Sequence, residues 1–214
     1  MVALAALVTL GFAAPTVLVG APADPGAARD LVTLMRAGER GSWSVDYEFT
    51  RTLAGGRVLR QAMQEARDPS LHVLRSGSVM SVVQGRRTYD CNATGKRLAC
   101  TEAPATKLLA PSEVLRVAVS VGAYTVTRIP GAVIAGQRAR CFRARTTGHG
   151  QLPDLGVEAD MCLDAHGVSL RQRIVSDSGD VDERLAESVT EPVTTAAIRA
   201  LARGFDPGAA PGPG

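Results

Sequence analysis

From Trp43 to Thr50 apolar and polar side chains alternate without a break, with Trp43, Val45, Tyr47 and Phe49 set against Ser44, Asp46, Glu48 and Thr50. A period of two puts alternate residues on opposite faces of extended backbone, so this stretch predicts a half-buried β-strand. Ala54-Gly55-Gly56 turns the chain into a second strand over 57–66. Further strand signals follow at 71–75, 79–84, 87–91 and 97–101, punctuated by Gly77, Gly85-Arg86 and Gly95-Lys96. Closely spaced strands separated by turn residues predict an antiparallel meander. A second strand group reads at 124–129, 137–147, 157–163, 169–176 and 182–189.

Three segments switch to the helical period. Residues 28–37 place Leu31, Leu34 and Met35 on one face, and Gly38 or Gly41 stops the helix. Residues 111–121 start at Pro111-Ser112-Glu113, where Ser112 is the expected cap. There Val114, Leu115, Val117, Ala118, Val119 and Val121 form a broad apolar surface away from Glu113, Arg116 and Ser120. A short helix at 195–203 closes the folded part, with Ile198 and Leu201 opposite Arg199 and Arg203. Strands followed by a helix, then strands and a helix again, make an α+β fold with an antiparallel sheet.

The four cysteines all fall within strand segments. Cys91 and Cys100 stand symmetrically about Gly95-Lys96, and a two-residue hairpin there sets them on neighbouring strands at an open, non-hydrogen-bonded pair. Cys141 and Cys162 bracket the 148–156 loop in the second group. Four cysteines allow three connectivities, and 91–100 with 141–162 is preferred because each pair encloses one local connection. Zinc fingers and ribbons need ligands two to four residues apart, which these spacings do not supply. Disulfides point to an oxidising, extracytoplasmic setting.

The 214 residues carry 45% hydrophobic and 21% charged side chains and a net charge of +3. That is ordinary globular composition, and the charges lack the like-signed runs that track a phosphate backbone, so nucleic acid is not an expected partner. Nearly all basic residues are Arg, Lys96 and Lys107 being the exceptions, which with abundant Ala, Gly and Val reads as GC-rich bacterial coding. Residues 1–23 form an apolar leader ending in Ala21-Pro22-Ala23, a small-x-small site. We expect a cleaved signal peptide, with a retained membrane anchor as the alternative, although no basic residue precedes Arg29. No cysteine ends the leader, so lipid attachment there is not expected. Residues 24–28 read as a linker, 29–205 as the domain and 206–214 as a disordered tail.

Catalytic signatures are missing: there is no G-x-S-x-G, H-E-x-x-H or glycine-rich phosphate loop. His72 falls in a strand, while His149 and His166 read as solvated loop and turn positions. Asp177, Asp180, Asp182 and Glu183 around Gly179 depart from the calcium-loop spacing and read as a hydrated turn. Asn92-Ala93-Thr94 fits a glycosylation acceptor and reads as the arm of a turn. No metal or cofactor is expected. The stripe Trp43, Val45, Tyr47, Phe49 fits either a packed core face or the wall of a ligand cavity, since both put the same residue types on one side.

The order of elements, with Leu31-Val32-Thr33-Leu34-Met35, Ser42 to Phe49, Arg140-Cys141-Phe142-Arg143-Ala144 and Met161-Cys162-Leu163-Asp164 followed by Ala165-His166-Gly167, resembles the lipoprotein-localisation half-barrel superfamily. Its relatives include lipid-binding envelope proteins and the N-terminal domain of sigma-factor regulators. The resemblance implies a strongly curved sheet covering helices, with a cavity for acyl chains. The expected function is a non-enzymatic envelope protein taking an apolar ligand or acylated protein between the first strand and the middle helix. Expected wall positions are Val45, Tyr47, Phe49, Met63, Val73, Leu115 and Val119. The alternative is a solid-core sensor or regulator that binds another envelope protein. Contact with a membrane surface would run through residues 1–23.

Overall fold

The computed structural model of the chain describes residues 24–85, 87–94, 97–103, 110–148, 152 and 155–206. The leader, the Gly95-Lys96 turn, His149 and the tail beyond Asp206 lie outside the described residues. The elements run α1 (Pro25–Arg40), β1 (Trp43–Thr52), β2 (Val58–Arg67), β3 (Leu71–Ser76), β4 (Val79–Gln84), β5 (Arg87–Thr94) and β6 (Arg97–Glu102). They continue with α2 (Pro111–Ser120), β7 (Tyr124–Ile134), β8 (Gln137–Thr146), β9 (Glu158–Leu163), β10 (Ser169–Val175), β11 (Val181–Thr190) and α3 (Thr195–Leu201). Each strand read from the sequence is present.

The strands form one antiparallel sheet in the order β6-β5-β4-β3-β2-β1-β11-β10-β9-β8-β7. β6 and β7 are its free edges, so the sheet is open, and the fold is α+β as expected. The chain runs outward from the centre in its first half and inward in its second, until β11 docks antiparallel on β1. β7 stands four places from β11, which in a flat sheet would be about 19 Å. Cα atoms of the two strands nonetheless come within 8 Å. The sheet therefore curls strongly.

Pairing fixes the faces. Val45 lies opposite Glu65 and Tyr47 opposite Met63, and Trp43 lies opposite Arg67, which in turn faces His72 on β3. These residues share the inner face, which α1 and α2 cover. Ala66 and Val73 pair on the other face, where α3 packs with Ile198 against them. α3 thus lies on the side opposite to α1 and α2.

Several boundaries differ from expectation for identifiable reasons. Residues 24–28 are no linker: Asp24 caps α1, its Oδ1 accepting from the Gly26 and Ala27 amides at 2.9 and 3.0 Å, and Pro25 stands in the first turn. Ala27 and Ala28 of that turn are buried. β7, read from the sequence as ending at Ile129, continues past Pro130-Gly131 to Ile134, because a bulge between Ile129 and Ala132 absorbs the pair on an edge strand. Asn92 and Ala93 belong to β5 rather than to a turn.

α2 buries a narrower stripe than expected, Ser112, Leu115 and Ala118, and leaves Val117 and Val121 exposed. Ser112 does not cap its own helix. Its amide and hydroxyl donate instead to the Glu39 carboxylate on α1, at 2.8 and 2.6 Å. A carboxylate at that end also favours the α2 dipole. Gly167 locks α1 to the β9–β10 turn: at φ +85° its Cα lies so close to α1 that a Cβ would stand 1.9 Å from the Leu34 carbonyl oxygen.

Candidate binding cleft

The expected wall residues do not line one space. Val45, Tyr47 and Met63 are buried together with Trp43, Val168 and Leu170, and Phe49 packs against that cluster. Leu115, with Val119 packed beside it, belongs to a second cluster of α1, α2, β7, β8 and β9 residues. Val73 is buried in a third cluster under α3, on the outer face. Its facing is set by the β2–β3 turn, where Asp68 Oδ1 accepts from the Ser70 amide, the Ser70 hydroxyl and the Leu71 amide. That turn puts Val73 opposite Ala66, one residue out of phase with an inward position.

Between the helices and the inner face a cleft of about 140 Å³ remains, bordered by Met35, Glu39, Trp43, Glu65, Arg67, Pro111, Met161, Leu163, Gln172 and Arg184. Its floor is charged. Glu65 Oε1 meets His72 Nε2 at 2.8 Å, and Oε2 lies 3.5 Å from Arg184 Nη1. Arg184 also donates to Gln172 and stacks over the Tyr47 ring at 5.9 Å from its centroid. Burial alone would raise the Glu65 carboxyl, but the His72 hydrogen bond and the Arg184 charge outweigh it and hold the group below the usual carboxylate value. Tyr47 moves the other way: burial, then the Glu65 charge, push its phenol well up, and its hydroxyl donates to the Ser169 carbonyl at 2.7 Å.

Arg67 has no hydrogen bond or ion pair among the described residues. Burial lowers its pKa, and the nearby charges of Glu65 and Glu39 only partly offset that. Sequence reasoning missed this group entirely. The available signal was β2 itself, whose inner positions Met63, Glu65 and Arg67 lose the apolar alternation that β1 keeps.

The other polar clusters serve the fold. Asp164, His166 and Glu191 bring ligand-type atoms within 4.8 Å of one another. Asp164 Oδ1, however, accepts from the His166 and Val168 amides and shapes the turn, while His166 Nδ1 pairs with Glu191 at 2.7 Å. The acidic residues expected to make a hydrated turn have protein partners: Asp180 accepts from the Ala54 amide, Asp182 pairs with Arg51 and Glu183 with Arg171.

β2 also has a free stretch. It pairs with β1 along its length but with β3 only from Met63 to Arg67, so among the described residues 58–62 has no ladder partner on that side. Val58 and Leu59 are 48% and 44% exposed there. Arg57 and Arg60, also exposed, make no ion pair among the described residues. An open groove of about 600 Å³ follows at the step, bordered by Tyr47, Ala62, Met63, Arg75 and Gly77.

Both expected disulfides are formed, Cys91–Cys100 with Cα atoms 3.9 Å apart and Cys141–Cys162 with Cα atoms 4.0 Å apart. In each bridge the two cysteines lie directly opposite on neighbouring strands. Among the described residues no helix is long and apolar enough to cross a membrane.

No family model matches the chain, and no curated protein matches it by sequence. Solved structures similar to it include the MucA/MucB complex of Pseudomonas aeruginosa, at 12% identity and a TM-score of 0.45 over 80% of this chain and 60% of that chain. A LolA superfamily protein from Nitrosomonas europaea superposes at 8% identity and a TM-score of 0.37, over 80% of this chain and 96% of that one. The chain thus spans about 60% of the length of the MucB chain it resembles.

Proposed function

We propose that this chain is an extracytoplasmic, non-catalytic docking module, and that the free stretch of β2 receives an extended, acidic segment of a partner protein. The unpaired 58–62 edge carries this reading. An edge strand offers a row of free amides and carbonyls that an added strand satisfies, while alternate side chains supply specificity. Val58 and Leu59 offer apolar contact, and Arg57 and Arg60 stand ready for carboxylates.

The interior supports docking over carriage of an acyl chain. Two buried clusters occupy the inner side where a cavity was expected, and the remaining inner cleft of about 140 Å³ is smaller than the roughly 300–1,000 Å³ of ordinary ligand pockets. Its floor of Glu65, Arg67 and Arg184 would desolvate badly under a long acyl chain. The paired cysteines support an oxidising compartment. His72 and His166 are each tied to a glutamate with no nucleophile among their hydrogen-bond partners, which supports a non-catalytic role.

The test is site-specific photocross-linking in the native host. A photoreactive residue at Leu59 should capture one protein, and one at Arg199 on exposed α3 should not. Native mass spectrometry of the purified protein should show no bound amphiphile. No adduct specific to Leu59, or a retained amphiphile, would overturn the reading in favour of the carrier.

A further inference from the structure

The inner cleft holds a guanidinium whose neighbours are all spoken for. Glu39 and Glu65 are the carboxylates that act on Arg67 through charge. Both Glu39 oxygens accept from Ser112, and the two Glu65 oxygens face His72 and Arg184. Glu65 therefore spends its hydrogen bonds on His72 and Arg184 and acts on Arg67 only through charge, while Glu39 is held by its hydrogen bonds at the α2 N-terminus. Among the described residues Arg67 is left with five donors and no hydrogen-bond acceptor, half-buried at the edge of the cleft. A half-buried guanidinium without a hydrogen-bond acceptor is partly desolvated at a cost, and a planar carboxylate is the group that it pairs with through two parallel hydrogen bonds.

The rest of the lining fits the other end of such a ligand. Met35, Met161, Leu163 and Trp43 offer apolar surface around the charged floor. The volume of about 140 Å³ is close to that of an apolar cavity of about 150 Å³ that accommodates benzene, so roughly six heavy atoms fit. A monoanion neutralises Arg67, whereas a doubly charged phosphate would meet the carboxylates of Glu39 and Glu65 a short way off.

We propose that the cleft between α1 and the inner sheet face binds a small monocarboxylate, with the carboxylate on Arg67 and a short apolar body against Met35, Met161 and Leu163. This site is separate from the β2 edge and stands whether or not a partner docks there.

Trp43 is the sole tryptophan and borders the cleft, its indole N–H donating to the Gly38 carbonyl at 2.8 Å, so one indole resonance reports on occupancy. Butyrate titrated into the full chain should shift that resonance saturably, while butyramide, of the same shape without charge, should not. Arg67→Met should weaken butyrate at least tenfold, and Arg67→Lys should recover part of the loss. Met161→Phe, which keeps Arg67 but fills the apolar end, should also weaken butyrate and decides the matter if Arg67→Met does not fold. The proposal is overturned if butyrate fails to saturate, if butyramide or inorganic phosphate binds as well, or if butyrate affinity survives both the Arg67 and Met161 changes.

Discussion

A set of single side chains in this protein joins elements that are far apart in sequence. Glu39 is one such joint: it ends α1 and satisfies the first turn of α2 through Ser112, which is 1% exposed. Removing the carboxylate strands a buried amide and a buried hydroxyl together. Glu39→Ala should therefore cost about 2 kcal/mol in urea unfolding, in the range for hydrogen bonds to charged groups. A cycle with Ser112→Ala should show coupling of about 1 kcal/mol or more, and additive losses would show that the contact carries no energy. His166 gives a pH signature. The hydrogen bond and then the charge of Glu191 raise its pKa above 6.5, so the protonated ring favours the fold. That contribution is complete below the unfolded value near 6.5 and disappears as pH rises through the raised folded value. NMR titration should place His166 above 6.5 in the parent and return it toward 6.5 in Glu191→Gln. An unmoved midpoint would remove Glu191 as the cause.

At the scale of elements, the two bridges staple loops of different length at different depths. Their separations of 9 and 21 residues correspond to chain-entropy contributions of about 2.6 and about 3.3 kcal/mol. Cys141 and Cys162 are both buried in the central cluster, whereas Cys100 lies on the edge strand β6 and is only half-buried. Replacing 141 and 162 by alanine should thus lower the denaturation midpoint more than replacing 91 and 100, and the reverse order would show that the β5–β6 edge matters more than the centre. These bridges were legible because each pair lies across a neighbouring strand connection, where turn residues fix the register. The strands were legible for the same reason: alternation in Trp43 to Phe49 and the glycines between hairpins are local signals. The cleft was not. Alternation tells which residues share a face, but not which faces meet, and the Arg184–Glu65 contact joins residues 119 apart. Val73 went to the wrong face because its parity depends on how Asp68 folds a three-residue turn, a detail that strand periodicity does not carry.

On the scale of the whole molecule, the sheet is two meanders joined at one seam. β1 to β6 grow away from the centre, β7 to β11 grow back toward it, and the β1–β11 ladder closes the join with contacts such as Asp46 to Ser188, 142 residues apart. Such pairing must overcome a large loop-closure entropy before it stabilises anything, so the seam should form late. Neither half buries its own core: α1, in the first half, covers Tyr124, Phe142 and Met161 of the second. The prediction is fragment complementation. Fragments 24–103 and 110–206, made with their disulfides, should each lack a cooperative thermal transition. Mixed, they should assemble one to one and recover it. Trp43 gives the readout, because it is 5% exposed at the seam among residues from both halves. Its emission should be red-shifted in the isolated first fragment and move to the blue on mixing. If 24–103 alone shows a buried Trp43 and melts cooperatively, the first meander is a domain in its own right and the seam is an interface between two folded units.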